Sequence, residues 1–168
     1  MRFELRKVDT PEDIKTLCMV AKQAWHHTYD KLLAPGQVDY MVEMFQSPKA
    51  IKEQMENENY VYYLIYLEGT PGGLVGFSPR YQGRDEVFLS KLYLLPVLQG
   101  SGAARKAIEL VVAETHRQGL SIIRLTVNKY NTHAADVYRH YGFETVESTV
   151  TDIGNGYVMD DYIMVKKL

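Results

Sequence analysis

The chain holds a single cysteine, Cys18, in 168 residues. That excludes an intrachain disulfide and any cysteine-based zinc site. No apolar run reaches the ~18 residues of a membrane span. The opening residues Met1-Arg2-Phe3-Glu4-Leu5-Arg6 alternate charged with apolar side chains. They lack the unbroken apolar stretch of a signal peptide, so a cytoplasmic location is expected by default. Net charge is only −2, from 19 Lys+Arg and 21 Asp+Glu. Such a balance leaves no electrostatic footprint for nucleic acid or an anionic membrane, and neither is expected as a partner. Repeats, low-complexity tracts and linkers are also missing, and one domain spanning residues 1–168 suits the length.

What is present is an ordinary globular balance, 46% apolar, with an unusual 13 tyrosines that suggest aromatic walls in a core or groove. Residues 2–8 alternate as a strand. Thr10, Pro11 and Asp13 read as an N-cap with proline at the first helical position. Ile14, Leu17, Cys18, Ala21 and Trp25 follow at helical spacing, and Pro35-Gly36 breaks the helix. Helical stretches at 38–45 and 48–57 come next. Residues 60–67 read as a strand, and Glu68-Gly69-Thr70-Pro71-Gly72-Gly73 as a hairpin turn. Strands at 74–81 and 86–95 lead to a helix expected over 101–118. Ile122 to Val127 is nearly all apolar, as in a strand buried on both faces. A strand–helix–strand order implies a right-handed crossover and a parallel strand pair. A short helix capped by Asn131 and stopped by Gly142 precedes a terminal hairpin. The expected class is mixed α/β (α+β): a central sheet with one parallel crossover and helices on both faces.

The most informative stretch is Leu92-Tyr93-Leu94-Leu95-Pro96-Val97-Leu98-Gln99-Gly100-Ser101-Gly102-Ala103-Ala104-Arg105. A strand feeds a glycine-rich turn and then a helix, which presents unpaired backbone N–H groups at the positive end of a helix dipole. This arrangement suits a phosphate-type anion. A P-loop is excluded, because no Lys-[Ser/Thr] pair follows Gly102. A dinucleotide G-x-G-x-x-G is excluded, because Arg105 stands where its last glycine belongs. What fits is Q-x-x-G-x-A at Gln99, Gly102 and Ala104. Downstream, Asn131 to Phe143 matches N-x-x-A-x-x-x-Y-x-x-x-G-F at every fixed position. Together the two motifs resemble the GCN5-related N-acetyltransferases (GNAT), which transfer acetyl from acetyl-coenzyme A to amines. The resemblance covers about residues 87–145.

The resemblance implies a mostly antiparallel sheet of six to seven strands with one splayed parallel pair. The pantetheine arm of acetyl-CoA would fill the gap and pair with the backbone of Leu92, Tyr93 and Leu94. Its pyrophosphate would rest on N–H groups of Gly100, Ser101, Gly102, Ala103, Ala104 and Arg105, beside Gln99. A backbone N–H near Leu94 would hold the oxyanion. Asn131 would contact the arm, and a plain N-cap role is open to it alongside. Tyr138 would be the acid that protonates the departing thiolate; Tyr141 is the competing phenol. Positions where family members carry a catalytic glutamate hold Thr126 and Phe88 here. The base is therefore open between water held by a tyrosine or Ser90 and the side chains of Glu86, His26, His27 and Tyr29. Trp25, His26 and Tyr29, with Glu86, are the candidate acceptor-binding residues. No metal is expected, since adjacent histidines on a helix point apart.

The expected function is acetyl transfer to a primary amine of a small molecule by direct attack in a ternary complex. A polyamine acceptor is suggested by likeness of the Asp152–Met164 segment to polyamine-acetylating branches. Alternation sends Asp160 and Asp161 to opposite faces, so at most one of them would look into a cleft, and a solvated hairpin edge is the plainer reading. Protein N-terminal or lysine acetylation, or a coenzyme-binding regulatory module without turnover, are the alternatives. Homodimers are common in the family, so a homodimer is among the assemblies implied.

Overall fold

The computed structural model describes residues 2–168. Strand β1 (Phe3–Lys7) leads into helix α1 (Pro11–Tyr29). Thr10 Oγ1 accepts from the Asp13 N–H at 3.1 Å, while Asp13 accepts from the Thr10 and Asp9 N–H groups at 3.0 Å each. This reciprocal cap satisfies orphan donors of the first turn. It also holds the Asp13 carboxyl below the usual carboxylate range. Two short helices follow, α2 (Gln37–Phe45) and α3 (Pro48–Asn57). Gln37 and Tyr40 tie α2 to the last hairpin: Gln37 Nε2 donates to the Val158 carbonyl at 2.8 Å and the Tyr40 hydroxyl to the Ile153 carbonyl at 2.7 Å.

The remaining elements are β2 (Val61–Leu67), β3 (Thr70–Pro79), β4 (Val87–Leu94), α4 (Ala103–Arg117), β5 (Ile122–Asn128), α5 (Thr132–His140), β6 (Glu144–Gly154) and β7 (Tyr157–Lys167). They form one seven-stranded sheet in the order β1-β2-β3-β4-β5-β7-β6. Only β4 and β5 run parallel. Of three apolar clusters among the described residues, the two larger lie on opposite faces of the sheet and the third gathers Trp25, Tyr29, Val38 and Met41. One packs Ala107, Ile108 and Val111 of α4 and Ala135 and Tyr138 of α5 against Val75, Phe77, Val87, Leu89 and Ile123. The other packs Leu17, Val20 and Ala21 of α1 and Ile51 of α3 against Tyr62, Leu64 and Leu74. The expected mixed sheet with helices on both faces is what the chain adopts.

Two boundaries differ from the sequence reading. Strand β3 begins at Thr70, so Pro71, Gly72 and Gly73 belong to the strand rather than to the turn. The glycines serve close packing: a Cβ on Gly72 would lie 2.9 Å from Leu98 Cγ, and one on Gly73 2.8 Å from Leu94 Cδ2. Helix α4 starts at Ala103, not Ser101, because Gly100 (φ 72°) and Gly102 (φ 92°) are left-handed and cannot continue a right-handed helix.

A third feature, a bulge in β4, had no sequence signal. Phe77 pairs with Leu89 but Gly76 pairs with Lys91, leaving Ser90 as an extra residue. Val87 and Leu89 face the α4 core. Alternation alone would send Lys91 there too. One inserted residue reverses the phase of everything after it. Lys91 and Tyr93 therefore face α1–α3, while Leu92 and Leu94 face α4.

Candidate active site

Strands β4 and β5 pair only at Val87–Ile123 and Phe88–Arg124. Glu86 and Arg124 clamp this paired end, Arg124 Nε and Nη2 donating to the Glu86 carboxylate at 2.7 and 3.1 Å. The guanidinium holds the Glu86 carboxyl below its ordinary value. From Leu89 onward the strands diverge. The gap opens into a cleft of about 550 Å³ lined by Leu92, Tyr93, Leu94, Gln99, Gly100, Gly102, Ala104, Asn131 and Tyr138, with Leu89, Ser90 and Thr126 at its floor. One edge of β4 is thus bonded to β3 and the other faces the gap. Peptide groups on that edge need a partner that a ligand can supply.

At the mouth of the cleft the glycine turn presents its donors. Among the described residues, the N–H groups of Gly100, Gly102, Ala104 and Arg105 have no hydrogen-bond partner. Those of Ser101 and Ala103 are taken, by the Leu98 carbonyl at 3.2 Å and by Ser101 Oγ at 3.3 Å. Of the amides from Gly100 to Arg105, these two are engaged within the turn itself. Ser101 and Ala103 shape the turn, and the Ala103 side chain is fully buried under it. Arg105 turns its guanidinium outward to Glu109 at 3.0 Å, leaving its amide as its free donor at the helix start. A Cβ on Gly102 would meet nothing within 4 Å; its space belongs to the cleft. Free amides at a helix N-terminus, with room above them, fit a diphosphate.

Asn131 caps α5, its Oδ1 accepting from the Ala134 N–H at 3.3 Å, and also lines the cleft. Both roles weighed for it are therefore compatible. Tyr138 projects from α5 into the cleft, braced edge-on by Phe143 at 5.6 Å between ring centroids. Burial pushes its phenol well above the ordinary value, so it is a proton donor at neutral pH. Tyr141 lines the same cleft.

A second cavity, about 210 Å³, lies on the other side of β4 and meets the cleft at Tyr29, Ser90, Tyr93 and Thr126. Trp25, Tyr29 and Tyr93 wall it, with Trp25 and Tyr29 centroids 4.6 Å apart and Trp25 and Tyr93 5.4 Å apart. Burial raises the Tyr29 phenol to about 12, opposed by the neighbouring Asn131 amide. Two of the acceptor-site candidates line neither cavity. His26 is held by Asp30 at 2.8 Å and Asp39 at 3.0 Å, and Glu86 by its arginine. His27, by contrast, reaches the cleft.

The cavity holds residues that the sequence reading passed over or read as surface. Asp161 faces into it, beside Asn128 across β5, whereas Asp160 pairs with Lys129 at 2.8 Å on the other face. Burial, reinforced by Asp160, raises the Asp161 carboxyl to about 6. Its buried Oδ1 has no partner, and neither does Gln46 Oε1 on the same cavity. Lys91 is 5% exposed, its Nζ donating to the Phe45 carbonyl at 2.9 Å and to Gln54 Oε1 at 3.0 Å. Burial lowers its ammonium to about 7. A lysine in an alternating strand carries no sequence mark of burial. Alternation had limited the aspartate pair to one inward member without naming it.

The acetyltransferase (GNAT) family model matches residues 23–143. An uncharacterized N-acetyltransferase of Mycobacterium tuberculosis (strain ATCC 25618 / H37Rv) is 37% identical over 157 residues, covering 93% of this chain and 98% of that one. The spermidine N(1)-acetyltransferase of Thermoplasma acidophilum is 25% identical over 168 residues, 99% of this chain and 98% of its own. Among solved structures, PaiA N-acetyltransferase from Thermoplasma acidophilum, in complex with coenzyme A, superposes with a TM-score of 0.82 at 21% identity, each chain covered in full. The splayed pair, the free amides of the glycine turn and these matches agree: the chain belongs to the acetyltransferase (GNAT) family and is an acetyl-CoA-dependent N-acetyltransferase.

Proposed function

We propose that this chain acetylates the primary amine of a small molecule held in the cavity beside β4. One observation carries the reading: the cavity and the cleft share Tyr29, Ser90, Tyr93 and Thr126, so an acceptor in one reaches a thioester in the other without leaving the protein. The amides of Gly100, Gly102, Ala104 and Arg105 would hold the diphosphate of acetyl-CoA, and the free edge of β4 at Leu92–Leu94 its pantetheine arm. Bound there, acetyl-CoA supplies an activated acyl group. The chain's own residues do the rest. Splayed β4 offers peptide N–H groups near Leu94 to a developing oxyanion. The acceptor ammonium first loses a proton to solvent water, and the free amine forms the C–N bond as the C–S bond breaks. Tyr138, kept protonated by burial, gives its proton to the leaving sulfur while the acylated nitrogen's proton restores the phenol through water. Tyr29 and Trp25 exclude water from the junction. At about 210 Å³ the cavity is below the roughly 300–1,000 Å³ of a drug-sized site, which favours a small amine over a folded chain.

A polyamine acceptor is the second reading, favoured by the 25% identity to a spermidine N(1)-acetyltransferase. The test is thiol release from acetyl-CoA with a panel of small amines, spermidine and peptides. Tyr138→Phe is expected to lower kcat about a hundredfold while coenzyme affinity, read by calorimetry, stays near that of the parent. An unchanged kcat removes the acid role. Turnover only with peptides removes the small-molecule reading.

A further inference from the structure

Lys91 and Asp161 stand on the same cavity and answer different ligand groups. Asp161 offers an unpartnered buried carboxylate oxygen, and Gln46 Oε1 offers a second acceptor. Neither has a reason to be buried bare, since burying an unpaired polar group is unfavourable. An ammonium would satisfy both. Asp161 also lies near Tyr29, whose ring reaches the cleft. The amine end of an acceptor therefore belongs on the Asp161 side, next to the thioester.

The Lys91 side is built from other chemistry. Phe45, Gln54 and Tyr60 near Nζ line the cavity, as Lys91 itself does, while the Tyr62 ring, 5.1 Å away, backs the ammonium from outside it. Two of its tetrahedral positions are committed to the Phe45 carbonyl and Gln54 Oε1. Both acceptors are neutral, and no carboxylate pairs with Nζ among the described residues. The third position carries a proton or a lone pair and is what a ligand meets. A carboxylate there would bring Lys91 the counter-ion it lacks. A second ammonium would face an amine fixed by backbone and amide oxygens. Strands β4 and β7 flank β5, so the two side chains start at least roughly 10 Å apart at ordinary strand spacing.

Resting on the small-amine reading above, we infer that the acceptor is an amino carboxylate, its ammonium at Asp161 and Gln46 and its carboxylate at Lys91. The cavity thus selects against diamines and polyamines of the same length. The chemistry asks only for an amine at one end and a carboxylate a few carbons away.

Three four-carbon amines that differ only at the far end test this: γ-aminobutyrate, n-butylamine and putrescine, assayed by thiol release. The expected order of kcat/KM is γ-aminobutyrate, then n-butylamine, then putrescine. Lys91→Met, which keeps length and removes charge, is expected to cut the γ-aminobutyrate/n-butylamine ratio at least about tenfold. Lys91→Gln serves as a second variant, and thermal unfolding of both reports whether the fold survives. Calorimetry of γ-aminobutyrate on the coenzyme A-loaded wild type reads binding without turnover. Preference for putrescine, or a ratio unmoved in a folded variant, overturns the inference and leaves the small-amine reading standing. Turnover of none of the three, with no heat of binding and with spermidine and other small amines also inert, overturns both.

Discussion

The cleft and the cavity share a wall, yet they are made of different material. The cleft's free donors are backbone, one strand edge and four amides of a glycine turn within residues 89–105, and side chains of α1, β5 and α5 complete its walls. The cavity is side chains drawn from α1, α2, α3, β4, β5 and β7. Peptide groups are the same in every protein, so a site built from them is fixed by local geometry and keeps one ligand. Side chains gathered from across the chain can be exchanged one at a time. On the proposed function, the backbone takes the invariant reactant and the side chains choose the acceptor.

The largest expected effect breaks the backbone side. Gly102→Ala puts a methyl group into the space above the free amides and asks a non-glycine residue to hold φ 92°. The strain is about 1–2 kcal/mol of stability. Affinity for acetyl-CoA should fall further, on the order of a hundredfold, as read by calorimetry on the folded variant. Loss of stability alone, with affinity kept, would mean that the glycine serves only the turn.

A middle effect tests the side-chain side. Asp161→Asn should lower kcat/KM for amines on the order of thirtyfold and leave acetyl-CoA affinity close to wild type. The pH dependence follows from the raised carboxyl. Below about 6 it takes a proton and can no longer hold an ammonium, so wild-type kcat/KM falls as pH drops through that value. The variant should lack that limb. Stability moves oppositely. The folded state binds this proton more tightly than the unfolded chain, so the Asp161 contribution to stability rises as pH falls from about 6 towards the ordinary carboxylate range. Urea titrations of wild type and variant across that window check the sign.

The smallest effect lies outside both sites. Thr10→Ala removes the cap of α1 and should cost about 1 kcal/mol in denaturant unfolding, with both Michaelis constants unmoved. A shift in acceptor KM would mean that α1 carries strain into the cavity.

The same division explains what could be read in advance. Thr10-Pro11-Glu12-Asp13 encodes its cap within four residues, and the Gln99–Ala104 turn and the Asn131–Phe143 segment each encode their local geometry within thirteen. The sheet followed from element order. The cavity did not, because its members meet only after folding. Lys91 was invisible because an extra Ser90 changes its face. Asp161 depended on which of two adjacent aspartates the β5–β7 register turns inward. Glu86 and His26 drew attention by residue type, but their neighbours Arg124, Asp30 and Asp39 engage them elsewhere.

The inserted residue in β4 has a further consequence. It uncouples two duties that one strand would otherwise perform in lockstep. Upstream of it, inward positions must stay hydrocarbon to satisfy the long helix. Downstream, positions on the opposite face answer only to whatever enters from outside. A lineage could thus retune its taste for acceptors at 91 and 93 without reopening the helix packing. Ironing out the bulge with the serine kept in register would swing the lysine into the greasy layer and trade recognition for collapse.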